Sequence, residues 1–204
     1  MRWDSLFDDL EGQLDSAWSA ADIERRAEDE RLRIGRLSIR DRVIAYGQSS
    51  AADQSTTRPM KVILRCGRDL TIQPRTFGRD WIAADLIRQH GSDGTAVIAL
   101  AAITSILLHP DDAERSTAEG DGTLRNPQIT DRIGMPFVLR DLCRRRTYVT
   151  VTTSISSDVI GGTLDRVARD HVDIARHPRG TPRRARDVSQ VQVVSLSAID
   201  LVEL

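Results

Sequence analysis

The nine residues FGRDWIAAD at Phe77–Asp85 stand over VARDHVDIA at Val167–Ala175, with Arg79-Asp80 on Arg169-Asp170 at an offset of 90. A second pair, VIALAAITSI at Val97–Ile106 and VVSLSAIDLV at Val193–Val202, matches at an offset of 96. It lays Leu100, Ile103 and Ile106 on Leu196, Ile199 and Val202. The six-residue difference fits a longer hairpin in the second copy, the one that holds Arg176–Arg186. Ahead of each copy stands a related stretch, IRDRV at Ile39–Val43 and LRDLC at Leu139–Cys143. Self-similarity at a nearly constant spacing predicts architecture more firmly than local propensity does. Here it predicts one unit twice, each a helix followed by a small barrel.

Local patterns fill in that frame. Strands are expected at Lys61–Leu64, Asp69–Ile72, Trp81–Leu86 and Ala96–Leu100, then at Tyr148–Thr153, Val159–Leu164, His171–Ala175, Val191–Leu196 and Asp200–Leu204. A short helix is expected over Asp131–Arg146, with Pro136 near its first turn. The polar, acidic, turn-rich run His109–Gln128 reads as a flexible linker. Residues 3–37 read as helix. Trp3, Phe7, Leu10, Leu14, Ala17 and Ala21 recur at the spacing of an a/d seam, and Ile23, Ala27, Ile34 and Leu37 continue it more thinly. About three heptads is marginal for an isolated coiled coil, so the seam needs a surface, on its own chain or on a second copy. The predicted organisation is an amphipathic helical segment over 1–45, a first barrel over 58–108, the linker over 109–128, and a helix with a second barrel over 129–204. The fold class is mainly β with helices.

Composition bounds the rest. The chain has 204 residues, with 29 basic and 30 acidic side chains and a formal net charge of −1. That near-balance hides a polarity. Residues 1–35 carry ten acidic and five basic groups, whereas 140–186 carry eleven arginines against five aspartates. No apolar run approaches the roughly 20 residues of a membrane span, and the acidic, amphipathic start lacks a signal-peptide pattern. Two cysteines, Cys66 and Cys143, make no disulfide framework. A cytoplasmic protein without membrane contact is expected.

The stretch TYVTVTTSISSDVIGGTLDRVARDHVDIARH at 147–177, closing with VQVVSLSAIDLVEL at 191–204, resembles the small five-stranded barrels of the Sm-like and SH3-like type. Gly162-Thr163-Leu164 and Asp170-His171-Val172-Asp173 sit where Sm-like proteins carry their Gly-x-Leu and Asp-x-apolar patterns. Gly161-Gly162 suits a strand that bends hard around a small barrel. The arrangement of both halves also resembles a group of uncharacterised actinobacterial proteins with an acidic N-terminal helix. The resemblance implies two such barrels in tandem and edge-to-edge association. It does not bring the family's RNA pocket. Asp173 stands where the family prefers Asn, the first copy has Ala83 or Ala84 there, and Val194–Ala198 and Val97–Ala102 replace its basic closing motif.

Two functional readings remain. The first is a non-catalytic module for binding itself or another protein, using the Trp3–Ala21 seam and open barrel edges. The alternative is RNA or DNA contact through Arg176, Arg179, Arg183, Arg184 and Arg186, which crowd into one Pro- and Gly-rich hairpin with Arg144–Arg146 as a second basic cluster. No aromatic residue is interleaved there to stack bases. Catalysis, a cofactor, a metal and a small-molecule substrate are not expected. Asp170, His171, Asp173 and His177 have no second cluster to complete a metal site. Neither cysteine has a His at a recognisable spacing, Glu119–Gly122 lacks phosphate- and calcium-loop residues, and Ser154, Ser156 and Ser157 have no partner base. Trp81 reads as a core-edge aromatic, with a ligand groove as the other option.

Overall fold

The computed structural model describes residues 22–52, 59–88, 94–117, 128–154 and 159–204. The chain divides into two units, Met1–Asp41 and Arg42–Leu204. The seam residues Trp3, Phe7, Leu10, Leu14, Ala17 and Ala21 lie outside the described residues.

In the first unit, residues 22–35 form helix α1. Ile23, Leu32 and Ile34 are exposed on it. Arg25–Asp22, Arg31–Glu28 and Arg33–Glu30 pair three residues apart along it. Such exposed pairs contribute a few tenths of a kcal/mol each. Arg33 donates both Nε and Nη2 to Glu30 at 2.6 Å, and this hydrogen bonding holds the Glu30 carboxyl below its usual range. A turn at Arg36 ends the helix. Ser38 and Asp41 then form a reciprocal cap, Asp41 N–H donating to Ser38 Oγ and Ser38 N–H to Asp41 Oδ2, which starts α2 (Ile39–Ala52). The sequence had read one helix through Leu37. The Ser-x-x-Asp box explains why a second begins directly after it.

The second unit is built on one ten-stranded antiparallel sheet, in the order β5-β1-β2-β3-β4-β10-β6-β7-β8-β9. The first five strands are β1 (Met60–Leu64), β2 (Asp69–Phe77), β3 (Trp81–Leu86), β4 (Gly94–Ala99) and β5 (Ile103–Leu107). The second five are β6 (Tyr148–Thr153), β7 (Val159–Val167), β8 (His171–Arg176), β9 (Gln190–Ser195) and β10 (Ile199–Glu203). Each set runs fifth-first-second-third-fourth, and the sets meet where β4 pairs with β10. The sequence offsets survive in detail. A register shift between Pro74 and Thr76 in β2 has its counterpart between Leu164 and Arg166 in β7, at the offset of 90. The 3-10 turns Leu100–Ala102 and Leu196–Ala198 correspond at 96.

Bulges bend strands, and this sheet is strongly bent. Arg68, in the β1–β2 turn, donates to Thr152 Oγ1 of β6 at 2.8 Å. Four strand spacings of about 4.8 Å would separate β2 from β6 in a flat sheet, beyond the reach of any arginine. Gly67, at φ +82°, makes that tight turn possible. In β7, a Cβ on Gly162 would come within 2.2 Å of the Ala175 carbonyl oxygen, so only glycine lets β7 and β8 close this tightly.

The first hydrophobic cluster gathers Val43 and Tyr46 of α2 with Val62, Ile72, Ile82 and Ile98. The second gathers Leu139 and Leu142 of α4 (Met135–Arg145) with Val151, Leu164, Val172 and Ile174. The clusters exchange residues across the junction. Trp81, Val97 and Ala99 sit in the second, and Leu201 sits in the first. Within the segment expected to be a linker, Pro110–Arg115 form α3. Ser116 behind it is buried and accepts from Arg42 Nη2 at 2.9 Å.

Candidate functional site

Two places concentrate chemistry that the fold alone does not require: the sheet edges, and an arginine-lined hollow beside α4.

At the junction, Val97 faces Val202, Ile98 faces Leu201 and Ala96 faces Glu203. Side chains of the first half clasp the acids of β10. Arg65 reaches the fully buried Asp200 with Nη2 at 2.6 Å and Nε at 3.2 Å, and also donates to the Ser197 carbonyl. Arg68 and Arg88 hold Glu203 at 2.8 and 2.6 Å. At the start of β3, Asp80 accepts the Met135 N–H at 2.7 Å, capping α4, and the Trp81 indole donates to the Ile133 carbonyl at 2.9 Å. Trp81 is buried, packed over Gly78, so it belongs to the core and not to a groove.

Among the described residues, β9 and β5 have no further strand partner. They carry the same two roles as β4 and β10. Val193 is the counterpart of Val97 at the offset of 96, yet it is 65% exposed where Val97 is 3% exposed. Val191 and Leu107 are also exposed. Unpaired backbone groups flanked by apolar side chains template the addition of another strand.

The five hairpin arginines differ in their partners and exposure. Arg183 turns back to Asp165 at the β7 bulge, Nε to Oδ1 at 2.9 Å with a second bond from Nη2, and this fork raises the guanidinium above its usual value. Arg179 lies over the Tyr148 ring, 5.8 Å from its centre. Arg176 is half-buried at the end of β8, and Arg184 and Arg186 are exposed. The hairpin is anchored by His177, which is buried against Tyr148 and contacts Thr163 Oγ1 at 2.6 Å and the Pro178 carbonyl at 3.1 Å. That carbonyl can only accept, so Nδ1 donates to it, and Nε2 shares the second hydrogen bond with the Thr163 hydroxyl.

Arg183 instead joins a hollow of about 470 Å³ with Arg144, Arg146, Arg166 and Cys143. Arg146 has φ +53° and ψ +37°, the one left-handed residue other than glycine among the described residues. It occupies the helix C-terminal position that normally goes to glycine, at a cost of roughly 1 kcal/mol. Burial pushes the Cys143 thiol up, Asp165 adds to this and Arg146 opposes it. A second, shallower hollow at the other end of α4 surrounds the exposed Phe137.

The sequence marks Arg144–Arg146 only as a second basic cluster and assigns Arg166 no role. Its signal was available: Asp165-Arg166 is the second copy's bulge, aligned with Arg75-Thr76. The edge residues Val193, Ile106 and Leu107 were also missed, although the repeat pairs Val193 with a buried Val97. His171 Nδ1 meets its neighbour Asp170 at 2.7 Å on the surface. Among the described residues, no group of three His, Cys, Asp or Glu side chains is arranged to hold a metal, and no helix is long and apolar enough to cross a membrane. Set against protein-family models, curated proteins and solved structures, the chain matches none of them, and the functional reading rests on these two surfaces.

Proposed function

We propose that this chain is a cytoplasmic, non-catalytic self-assembly module, two small Sm-like barrels in tandem that add further copies of the chain edge to edge. The identical strand order of the halves, their coincident bulges and the tight bend that brings Arg68 to β6 support the barrel reading. The observation that carries the assembly reading is the β4–β10 junction, together with the open β9 and β5. A fourth strand pairing with a fifth is a head-to-tail contact, so its repetition between chains generates a ring or a filament. Transferring the internal register by 96 residues pairs Val194 with Ser105, Val193 with Ile106 and Gln192 with Leu107 of the next copy.

Sedimentation velocity from about 1 to 100 µM tests this. The wild-type coefficient should rise with concentration, and Val193→Lys should remain monomeric, because a charge on an open edge blocks strand addition. A wild-type monomer throughout the range would overturn the proposal. Removing residues 1–21 separates the edges from the Trp3–Ala21 seam: association that is lost on truncation but survives Val193→Lys would assign the contact to the seam.

RNA or DNA contact through hairpin 176–186 is the weaker reading. It rests on Arg184 and Arg186, since Arg183 is committed to Asp165 and Arg179 to Tyr148.

A further inference from the structure

Acidic partners along α4 and β7 are already taken. Asp165 is held by Arg183, and Asp141 is bound to Arg145 at 2.7 Å. Arg144, Arg146 and Arg166 line the 470 Å³ hollow with no hydrogen-bond or ion-pair partner for their guanidiniums among the described residues. Their placement opposes simple electrostatics. Three like charges converge on one concave site, and one of them comes from a left-handed position that glycine would fill with less strain. Asp165 also lines the hollow, but Arg183 neutralises it, so a left-handed backbone position is maintained at a concave site with an excess of positive charge, which points to a ligand of opposite charge.

We propose that this hollow binds phosphate groups. Guanidinium forks match phosphate oxygens in geometry and charge, and three of them suit a dianion or a diphosphate better than a single carboxylate. Arg183, fixed by Asp165, forms the rigid wall, while Arg144, Arg146 and Arg166 supply the donors. Thr163 is engaged with His177, which ties the floor of the hollow to the anchored hairpin. The phosphate can belong to a free phosphorylated small molecule or to a nucleic-acid backbone, since both present the same oxygens.

Isothermal titration of the full chain with inorganic phosphate, pyrophosphate and a ten-nucleotide single-stranded RNA, in about 50 mM salt, tests the site. Pyrophosphate should bind, and Arg166→Gln and Arg144→Gln should each weaken it at least tenfold, because one charge-assisted contact contributes about that factor. Arg146→Gly is the sharpest variant. It relieves the left-handed strain, so the Tm should hold or rise by about 2–4 °C while affinity falls at least tenfold. RNA that displaces pyrophosphate, and is lost in the same variants, identifies a nucleic-acid backbone as the source. Pyrophosphate binding without RNA binding identifies a small phosphorylated ligand. No binding of either anion up to about 10 mM, or unchanged affinity in Arg146→Gly and Arg166→Gln, would overturn the proposal.

Discussion

The β4–β10 junction and the open β9 and β5 edges are the same kinds of strand in two environments. Val97 and Val193 occupy equivalent places, one sealed against Val202 and the other facing solvent. The difference around them lies in the side chains. Asp200 and Glu203, which receive three arginines at the junction, correspond to Thr104 and Leu107 on β5. Arg88 corresponds to Pro178, and the docked Trp81 to the surface residue His171. The internal junction therefore combines backbone pairing with buried charge and an indole clasp, whereas the open edges offer backbone pairing and apolar contact alone. A permanent junction and a reversible one are expected from a single repeated geometry.

Substitutions at equivalent places put that contrast at risk. Val97→Asp should destabilise the fold most, by upward of about 4 kcal/mol, because it buries a charge between β4 and β10. Chemical denaturation measures it, and a loss under 1 kcal/mol would mean that the junction is not the packed seam described. Arg65→Ala should cost about 3 kcal/mol, since it strands the buried Asp200 carboxylate; Arg65 is itself partly exposed, which sets the value at the low end for broken buried pairs. Trp81→Phe should cost about 1–2 kcal/mol through the lost bond to the Ile133 carbonyl, while His171→Ala, its counterpart, should stay within about 0.5 kcal/mol. Val193→Lys should change monomer stability least, within about 0.5 kcal/mol, and yet abolish association. Equal destabilisation by Val97→Asp and Val193→Asp would erase the distinction between sealed and open edges.

The sequence showed this contrast only in part. The offsets of 90 and 96 predicted one unit twice, and nine of the ten strands were expected close to where they lie, four in the first set and five in the second. The missing strand, β5, was implied by the match of ITSI to IDLV, but its mixed polarity hid the alternation that marks a strand. Strand pairing across the junction was not readable. Alternation tells which face of a strand is buried and says nothing about which edge meets which. The arginine hairpin was placed correctly between strands, whereas the direction of Arg183 depended on Asp165, an acid at a bulge, and that of Arg179 on the Tyr148 ring. Arg146 was visible as part of a basic triplet at a helix end, but its left-handed backbone, which sets it apart, has no signature in sequence.

The most direct test of the account is a cross-link between chains. One batch of protein would carry Cys66→Ser, Cys143→Ser and Val193→Cys, and another the same background with Ile106→Cys. Directly opposed antiparallel residues have Cα atoms about 4.5–5.5 Å apart, within disulfide range. Mild oxidation of the mixture at about 100 µM should yield the 193–106 heterodimer, and a Thr104→Cys partner should yield far less. No 193–106 link at that concentration, or equal yields from both partners, would contradict head-to-tail pairing of β9 with β5.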